Sequence, residues 1–294
     1  MAKVVLTQRA DSGYDDVTGD VYHFPKQYLA AAQAAVGDGC LYYEPRRSGG
    51  RMAYWASARI AHVYPDPQRA DHFYAKIEDF LQFPEPVPFQ RADRSFWEEK
   101  LGRPDGLPSR GAMGWSIRRI PDHEFELILR AGYLPALSVQ PDANDSTAMM
   151  GVAEEQLDFE RPIIEQVSMR PFRDRVFAAQ VRTAYDSRCA VTGLKIINGG
   201  GRAEMEAAHI KPVADRGPDS VRNGLALSRT VHWMFDRGLI SVDDDFKLLT
   251  AKPLLPEGVD RLFDPSGHIF VPPEARSQPN PAFLRWHREN RFKG

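Results

Sequence analysis

Three residues in the last third of the chain have the types and the spacing to cut a phosphodiester: His209, Asn223 and His232. They lie in Glu206-Ala207-Ala208-His209-Ile210, Arg222-Asn223-Gly224-Leu225 and His232-Trp233-Met234-Phe235-Asp236-Arg237-Gly238, at intervals of 14 and 9 residues. Those intervals suit a β-hairpin that runs into a helix. The first His then sits on the first strand, the Asn on the second, and the last His one to two turns into the helix. Such an arrangement can hold one divalent metal beside one imidazole base. Phosphodiester hydrolysis needs water activated near neutral pH, a stabiliser for charge growing on phosphorus, and help for the departing oxygen. His209 suits the first task, because imidazole titrates close to physiological pH. A divalent cation answers the other two needs, with His232 as its natural ligand.

Two acids stand close to this set. Asp236 follows His232 by four residues and shares its helix face. It is open to two roles, a second metal ligand or a partner that orients His232. Side chains alternate along a strand, so Glu206 points to the same side as Ala208 and reaches the metal directly or through water. The metal candidates are therefore His232, Asp236 and Glu206. Trp233, Met234 and Phe235 read as core packing.

The spellings A-A-H-I, N-G-L-A-L and H-x-x-F-D-x-G closely resemble the HNH (ββα-metal) nuclease family, in order and in spacing, over roughly the last 125 residues. The resemblance implies an endonuclease with a divalent cation, Mg²⁺ or Mn²⁺, and a catalytic set of His209, Asn223 and His232. It implies that Asn223 fixes the hairpin loop and orients the base without touching substrate. Two departures stand out. Many HNH nucleases place a metal-binding Asp or His just before the base, where this chain has Ala208. Many also hold a structural zinc with C-x-x-C pairs, whereas Cys189-Ala190-Val191-Thr192-Gly193 keeps only the first Cys. Four-ligand zinc sites need more donors than remain, so no structural zinc is expected and Cys189 reads as a buried thiol. The closing Leu284-Arg285-Trp286-His287-Arg288 recurs in the same subgroup and reads as a docked helix, with DNA contact by His287 and Arg288 as the alternative.

The elements that must position these residues fit a two-domain chain. Its 294 residues, 43% hydrophobic and 27% charged, suit a folded α+β protein. No apolar run approaches the length of a membrane span, the N-terminus does not read as a signal peptide, and two distant cysteines suit a reducing compartment. A cytoplasmic protein is expected. Net charge is −2, yet Arg170 to Arg237 holds 12 Lys or Arg against 7 Asp or Glu, over the nuclease motifs. That local excess suits a phosphate backbone, or a solvated helix face. Strand candidates in the first part are Val21–Phe24, Gly39–Tyr43, Met52–Val63 and Ser116–Ile120; helix candidates are Gln27–Val36, Ala70–Phe80 and Asp122–Arg130, the last stopped by Gly132. A helix over Pro171–Asp186 opens the second domain. The boundaries expected are 1–134, a linker over 135–168 rich in Pro, Asp, Asn, Ser and Thr, and 169–294.

The N-terminal part carries Tyr22-His23-Phe24-Pro25, Tyr42-Tyr43-Glu44-Pro45 and Tyr54-Trp55-Ala56 on three successive strand candidates. Tyr22, Phe24, Tyr43 and Trp55 are candidates for a pocket that stacks a base extruded from DNA, although alternation allows only about half of such aromatics to line one. The basic loop Glu44–Arg51, with Arg46 and Arg47, is suited to straddling phosphates or is an exposed turn. Lys211 and Arg222 are the further candidates for backbone contact. This layout is similar to PUA-like modules (the EVE, YTH, ASCH and SRA group), implying an N-terminal PUA-like β-barrel with flanking helices. A reader joined to an HNH nuclease resembles modification-dependent restriction endonucleases. It implies double-stranded DNA carrying 5-methyl- or 5-hydroxymethylcytosine as substrate, base flipping, and a homodimer to cut two strands. The alternatives are an HNH nuclease acting on unmodified DNA or on RNA, and a nucleic-acid-binding protein with a degenerate HNH fold.

Overall fold

A computed structural model describes residues 2–9, 16–46, 49–138 and 163–294. The chain divides into two compact units, Met1–Arg173 and Asp174–Gly294. The expected linker lies outside the described residues over 139–162. Its described ends, 135–138 and 163–168, are helical.

The first unit is built on one sheet. Its elements are β1 (Lys3–Thr7), β2 (Val21–Pro25), α1 (Leu29–Ala34), β3 (Gly39–Glu44), β4 (Ala53–Pro65), β5 (His72–Pro88), α2 (Arg110–Met113), β6 (Ile117–Ile120), α3 (Asp122–Ser138), α4 (Ile163–Ser168) and the start of α5 (Arg170–Ala184). The strands run in the order β2-β5-β4-β3-β1-β6, and only β1 and β3 are parallel. Three shifts of register between β4 and β5, at Tyr54/Ala56, Ser57/Arg59 and Ile60/His62, bend these long strands and curl the sheet. The expected barrel is therefore a curled, open half-barrel with β2 and β6 as edges.

Two sequence expectations change here. Residues 70–80 are not a helix: the aromatic run His72-Phe73-Tyr74 starts β5, whose alternating side chains pack on both faces of the sheet. Gly132 does not end α3, which continues to Ser138 through Pro135. A Cβ at Gly132 would lie 2.6 Å from the Phe83 ring, so the missing side chain lets the helix lie close on β5. Tyr133 then stands edge-on to Phe83 at 4.9 Å, with its hydroxyl donating to Leu81 O at 2.8 Å.

The sheet has two buried faces. Val4, Leu6, Tyr22, Phe24, Tyr42, Trp55, Ile60 and Phe80 form one hydrophobic cluster with Ala32 of α1. Leu41, Tyr43, Tyr54, Leu81 and Phe83 are buried outside it, together with Phe125, Ile128 and Tyr133 of α3. Among them Arg118 and Glu98, both inaccessible to solvent, pair with Nε donating to both carboxylate oxygens and Nη2 donating to Oε1. Tyr54 donates to the same carboxylate at 2.6 Å. Opposite charges that meet with this many bonds can be carried inside a protein, whereas removing either one strands the other.

The second unit continues α5 and adds β7 (Glu206–His209), β8 (Gly224–Leu227), α6 (Arg229–Asp236), β9 (Ile240–Val242), β10 (Leu248–Thr250) and α7 (Pro281–Asn290). β7 and β8 are antiparallel, with His209 opposite Gly224, and β9 pairs with β10. Phe172 belongs to the first unit, while Phe177 and Val181 of the same helix, and Tyr185 just after it, are buried in the second. Gly238 ends α6 at φ 69°, and a Cβ there would meet Arg291 O at 1.9 Å, so a glycine is needed both for its backbone and for its closeness to the C-terminal segment.

α7 docks through His287, as the favoured reading of the closing motif expects. The ring is buried, stacks on Phe235 at 3.8 Å and 7°, and lies 3.1 Å by Nε2 from Phe235 O and 2.9 Å by Nδ1 from Ser241 Oγ. A neutral ring satisfies both bonds, with Nε2–H donating and Nδ1 accepting. Burial pushes its pKa down to about 4, helped by Arg291 nearby and opposed by the Phe235 carbonyl. The unfolded value is near 6.5. His287 thus stabilises the fold fully above pH 6.5, and that contribution is lost as pH falls toward about 4, the loss reaching about 3 kcal/mol. Urea midpoints of the full chain between pH 7.5 and 4.5 should fall more steeply for wild type than for His287→Asn. Equal slopes would remove His287 from the acid response.

Candidate active site

The hairpin and helix carry the site because each side chain is fixed from behind. His209, half-buried at the end of β7, lies flat on Phe177 of α5, with ring centroids 3.8 Å apart and planes at 13°. Its Nε2 is 2.9 Å from Oδ1 of Asp219, whose carboxylate is almost fully buried. A buried carboxylate there keeps the proton on Nε2 and leaves the Nδ1 lone pair as the basic position. Sequence reasoning missed both partners. Phe177 lies outside the motifs, and Asp219 follows Gly217-Pro218, a spelling that reads as a turn, where Asp is common for local reasons.

Asn223 is inaccessible to solvent and closes the loop between the strands. Its Oδ1 accepts from Lys211 N at 2.9 Å, and its Nδ2 donates to Lys211 O at 2.9 Å and Pro218 O at 3.0 Å. Three of its four hydrogen-bonding positions are thereby spent on the segment that holds Asp219.

His232 stands on α6 with its two nitrogens in different surroundings. Nδ1 is 3.0 Å from Glu206 Oε2, and Nε2 is 3.5 Å from Asp236 Oδ2. Glu206 also accepts from Arg229 Nε at 2.9 Å. Burial opposes the charge on Glu206, but the hydrogen bonds from His232 and Arg229 outweigh it and hold its carboxyl below the ordinary range. Glu206 therefore contacts the Nδ1 side of His232, and Asp236 its Nε2 side. Ala208, on the same side of β7, is fully buried.

A cation fits this donor set in part. His232 Nε2 and the exposed Asp236 carboxylate offer one nitrogen and one oxygen on adjacent turns of a helix, with Glu206 fixing the tautomer through Nδ1. Among the described residues no group of three or more His, Cys, Asp or Glu is placed to hold a metal. Two protein donors suit a hard cation that keeps water and takes substrate oxygens, as Mg²⁺ commonly does.

The other candidate residues are scattered. Lys211 has its Nζ 5.9 Å from the centre of the Trp286 ring. Arg222 is half-buried, with Nε 3.4 Å from Gln278 O, and so ties the turn before β8 to the C-terminal segment. Arg46 is exposed, and Arg47 lies outside the described residues. The four aromatics do not form one cage. Tyr22, Phe24 and Trp55 pack in the hydrophobic cluster, while Tyr43 is buried outside it, beside Tyr54 and under Arg118. The Tyr22 hydroxyl is already held by the carbonyls of Thr7 and Ser116. A shift of register between Tyr42 and Tyr43 accompanies this arrangement. Cys189 is buried, and its sulfur accepts Ser228 N–H at 3.3 Å.

Residues 189–243 match the family model described as HNH endonuclease, and this segment is an HNH endonuclease domain. No curated protein matches the chain. Among solved structures the chain is similar to a modification-dependent TagI restriction endonuclease, at 14% identity and TM-score 0.33, over 98% of this chain and 82% of that one. It is similar to a protein from Agrobacterium tumefaciens, at 14% identity and TM-score 0.34, over 45% and 93%. It is similar to ScoMcrA, a type IV phosphorothioation-dependent restriction endonuclease, at 12% identity and TM-score 0.19, over 78% and 46%. All three scores lie below 0.5, so the nuclease assignment rests on the matched segment. No described helix is long and apolar enough to cross a membrane.

Proposed function

We propose that the chain is a modification-dependent DNA endonuclease, in which the HNH domain hydrolyses phosphodiester bonds and the N-terminal unit selects double-stranded DNA carrying 5-methyl- or 5-hydroxymethylcytosine. The observation that carries the hydrolytic part is the imidazole of His209, clamped between Phe177 and the buried Asp219 with one nitrogen left to act. Nδ1 takes a proton from the water that attacks phosphorus, and Asp219 stabilises the imidazolium that results. Asn223 keeps the loop of Asp219 in place. His232 and Asp236 would hold a divalent cation, Mg²⁺ or Mn²⁺, and Glu206 and Arg229 fix His232 for that role. When bound, the cation supplies charge stabilisation for the phosphate and the departing oxygen.

The reader function is supported by the layout: a second compact unit, aromatic-rich and PUA-like in its motifs, joined to a nuclease domain that needs a source of selectivity. Base flipping is the step that would bring a modified cytosine to it. With three of the four aromatics in the hydrophobic cluster, the base site in this reading takes in no more than part of the expected set. Cutting both strands calls for a second active site, hence a homodimer on DNA.

Removal of metal tests the hydrolytic part. Full-length protein treated with chelator should cut no DNA, and Mg²⁺ or Mn²⁺ should restore cutting. Undiminished cutting in excess chelator would contradict the site as described.

A further inference from the structure

α6 separates two rows of residues. Val231, Met234 and Phe235 are buried, whereas Arg229, His232, Trp233 and Asp236, with Arg237 at the end of the helix, each lie three or four residues from another of the set along the outer face. Trp233 is 57% exposed, which overturns its reading as core packing. An indole held in water on a short helix whose inner side is well buried is a feature to explain, because large aromatic side chains gain most when covered.

We propose that Trp233 stacks on a nucleobase beside the phosphodiester that is cut, and that it favours DNA whose bases are free to unstack there. The proposal rests on the nuclease reading above. His232 and Asp236 occupy the same outer face, so the phosphate must approach that face, and the neighbouring base lies one sugar away. Arg229 and Arg237 stand four residues before and after Trp233, giving the strip cationic ends that complement the flanking phosphates. The strip is also rigid: Met234 and Phe235 are buried beneath it, and Gly238 is seated against Arg291 O. A Trp presented this way has few torsions to lose on contact. Stacking is tolerant of sequence, because every base has a π-face. Inside an intact duplex those faces are covered. Trp233 then needs a gap, a mismatch or a wedged-open step.

The test is equilibrium binding of the full-length protein to a fluorescein-labelled duplex with a short single-stranded gap, in chelator so that nothing is cut. W233A should bind about tenfold more weakly than wild type, and W233F within about threefold, with thermal midpoints unchanged. The W233A penalty should vanish when the unpaired nucleotides are abasic. W233A binding as tightly as wild type would overturn the proposal, as would a penalty that persists on abasic DNA. The two readings fail separately. A wild type that shows the stacking pattern but never cuts with Mg²⁺ or Mn²⁺ removes the nuclease reading alone. A wild type that cuts, with W233A unaffected in binding, removes the stacking alone.

Discussion

His209→Ala is expected to slow DNA cleavage by about 10²–10⁴-fold while leaving DNA binding nearly intact. The ring lies on Phe177 and meets Asp219 through Nε2, so neither of these neighbours replaces a base on Nδ1. The neighbouring strand position, Ala208, offers no proton acceptor, and the carboxylate of Glu206 is engaged by His232 and Arg229. Losing the imidazole therefore leaves attacking water with no acceptor for its proton. Single-turnover cleavage with enzyme in excess gives the chemical step, and anisotropy in chelator gives binding. A variant that cuts within about threefold of wild type would exclude His209 as the base.

The second large effect is expected from Asp219→Asn. The buried carboxylate accepts from Nε2–H, and its charge favours the imidazolium formed as water loses its proton. An amide removes that charge. If the amide turns its NH₂ toward the ring, Nε2 must accept, and the proton moves to Nδ1, where the base is needed. A loss of kcat on the order of 10²-fold follows, with KM little changed, because substrate does not reach Asp219. A residue that merely held the fold would lower the thermal midpoint and the active fraction together. If Asp219→Asn melts like wild type and cuts like wild type, the His209–Asp219 pair has no part in the chemistry.

These two residues differ in how well the sequence shows them. His209 and His232 are readable because a hairpin feeding a helix fixes their interval, and β7 and α6 carry them; Asn223 falls not on the second strand but in the 3₁₀ turn Val221–Asn223 that leads into β8. Asp219 is not readable, since its role depends on a loop closed by Asn223 rather than on any periodicity. Trp233 could be read correctly from helical spacing: it falls on the row of Arg229 and Asp236, not on that of Val231 and Phe235. Its chemistry alone suggests core. In the first unit the strands of local alternation are legible, whereas residues 72–88 are ambiguous until β4 is present to pair with them. The aromatic pocket is hardest of all. Alternation tells which residues share a face, but both faces of this sheet are covered, one around α1 and the other under α3. A rule that sorts inside from outside has nothing to sort there.

Cleavage of three matched duplexes, containing cytosine, 5-methylcytosine or 5-hydroxymethylcytosine, each with Mg²⁺ and with Mn²⁺, tests the central claim most directly. Cutting confined to a modified duplex, and abolished in His209→Ala, is the result expected of a reader unit that directs an HNH nuclease. Equal cutting of all three would contradict it and leave a nuclease indifferent to modification.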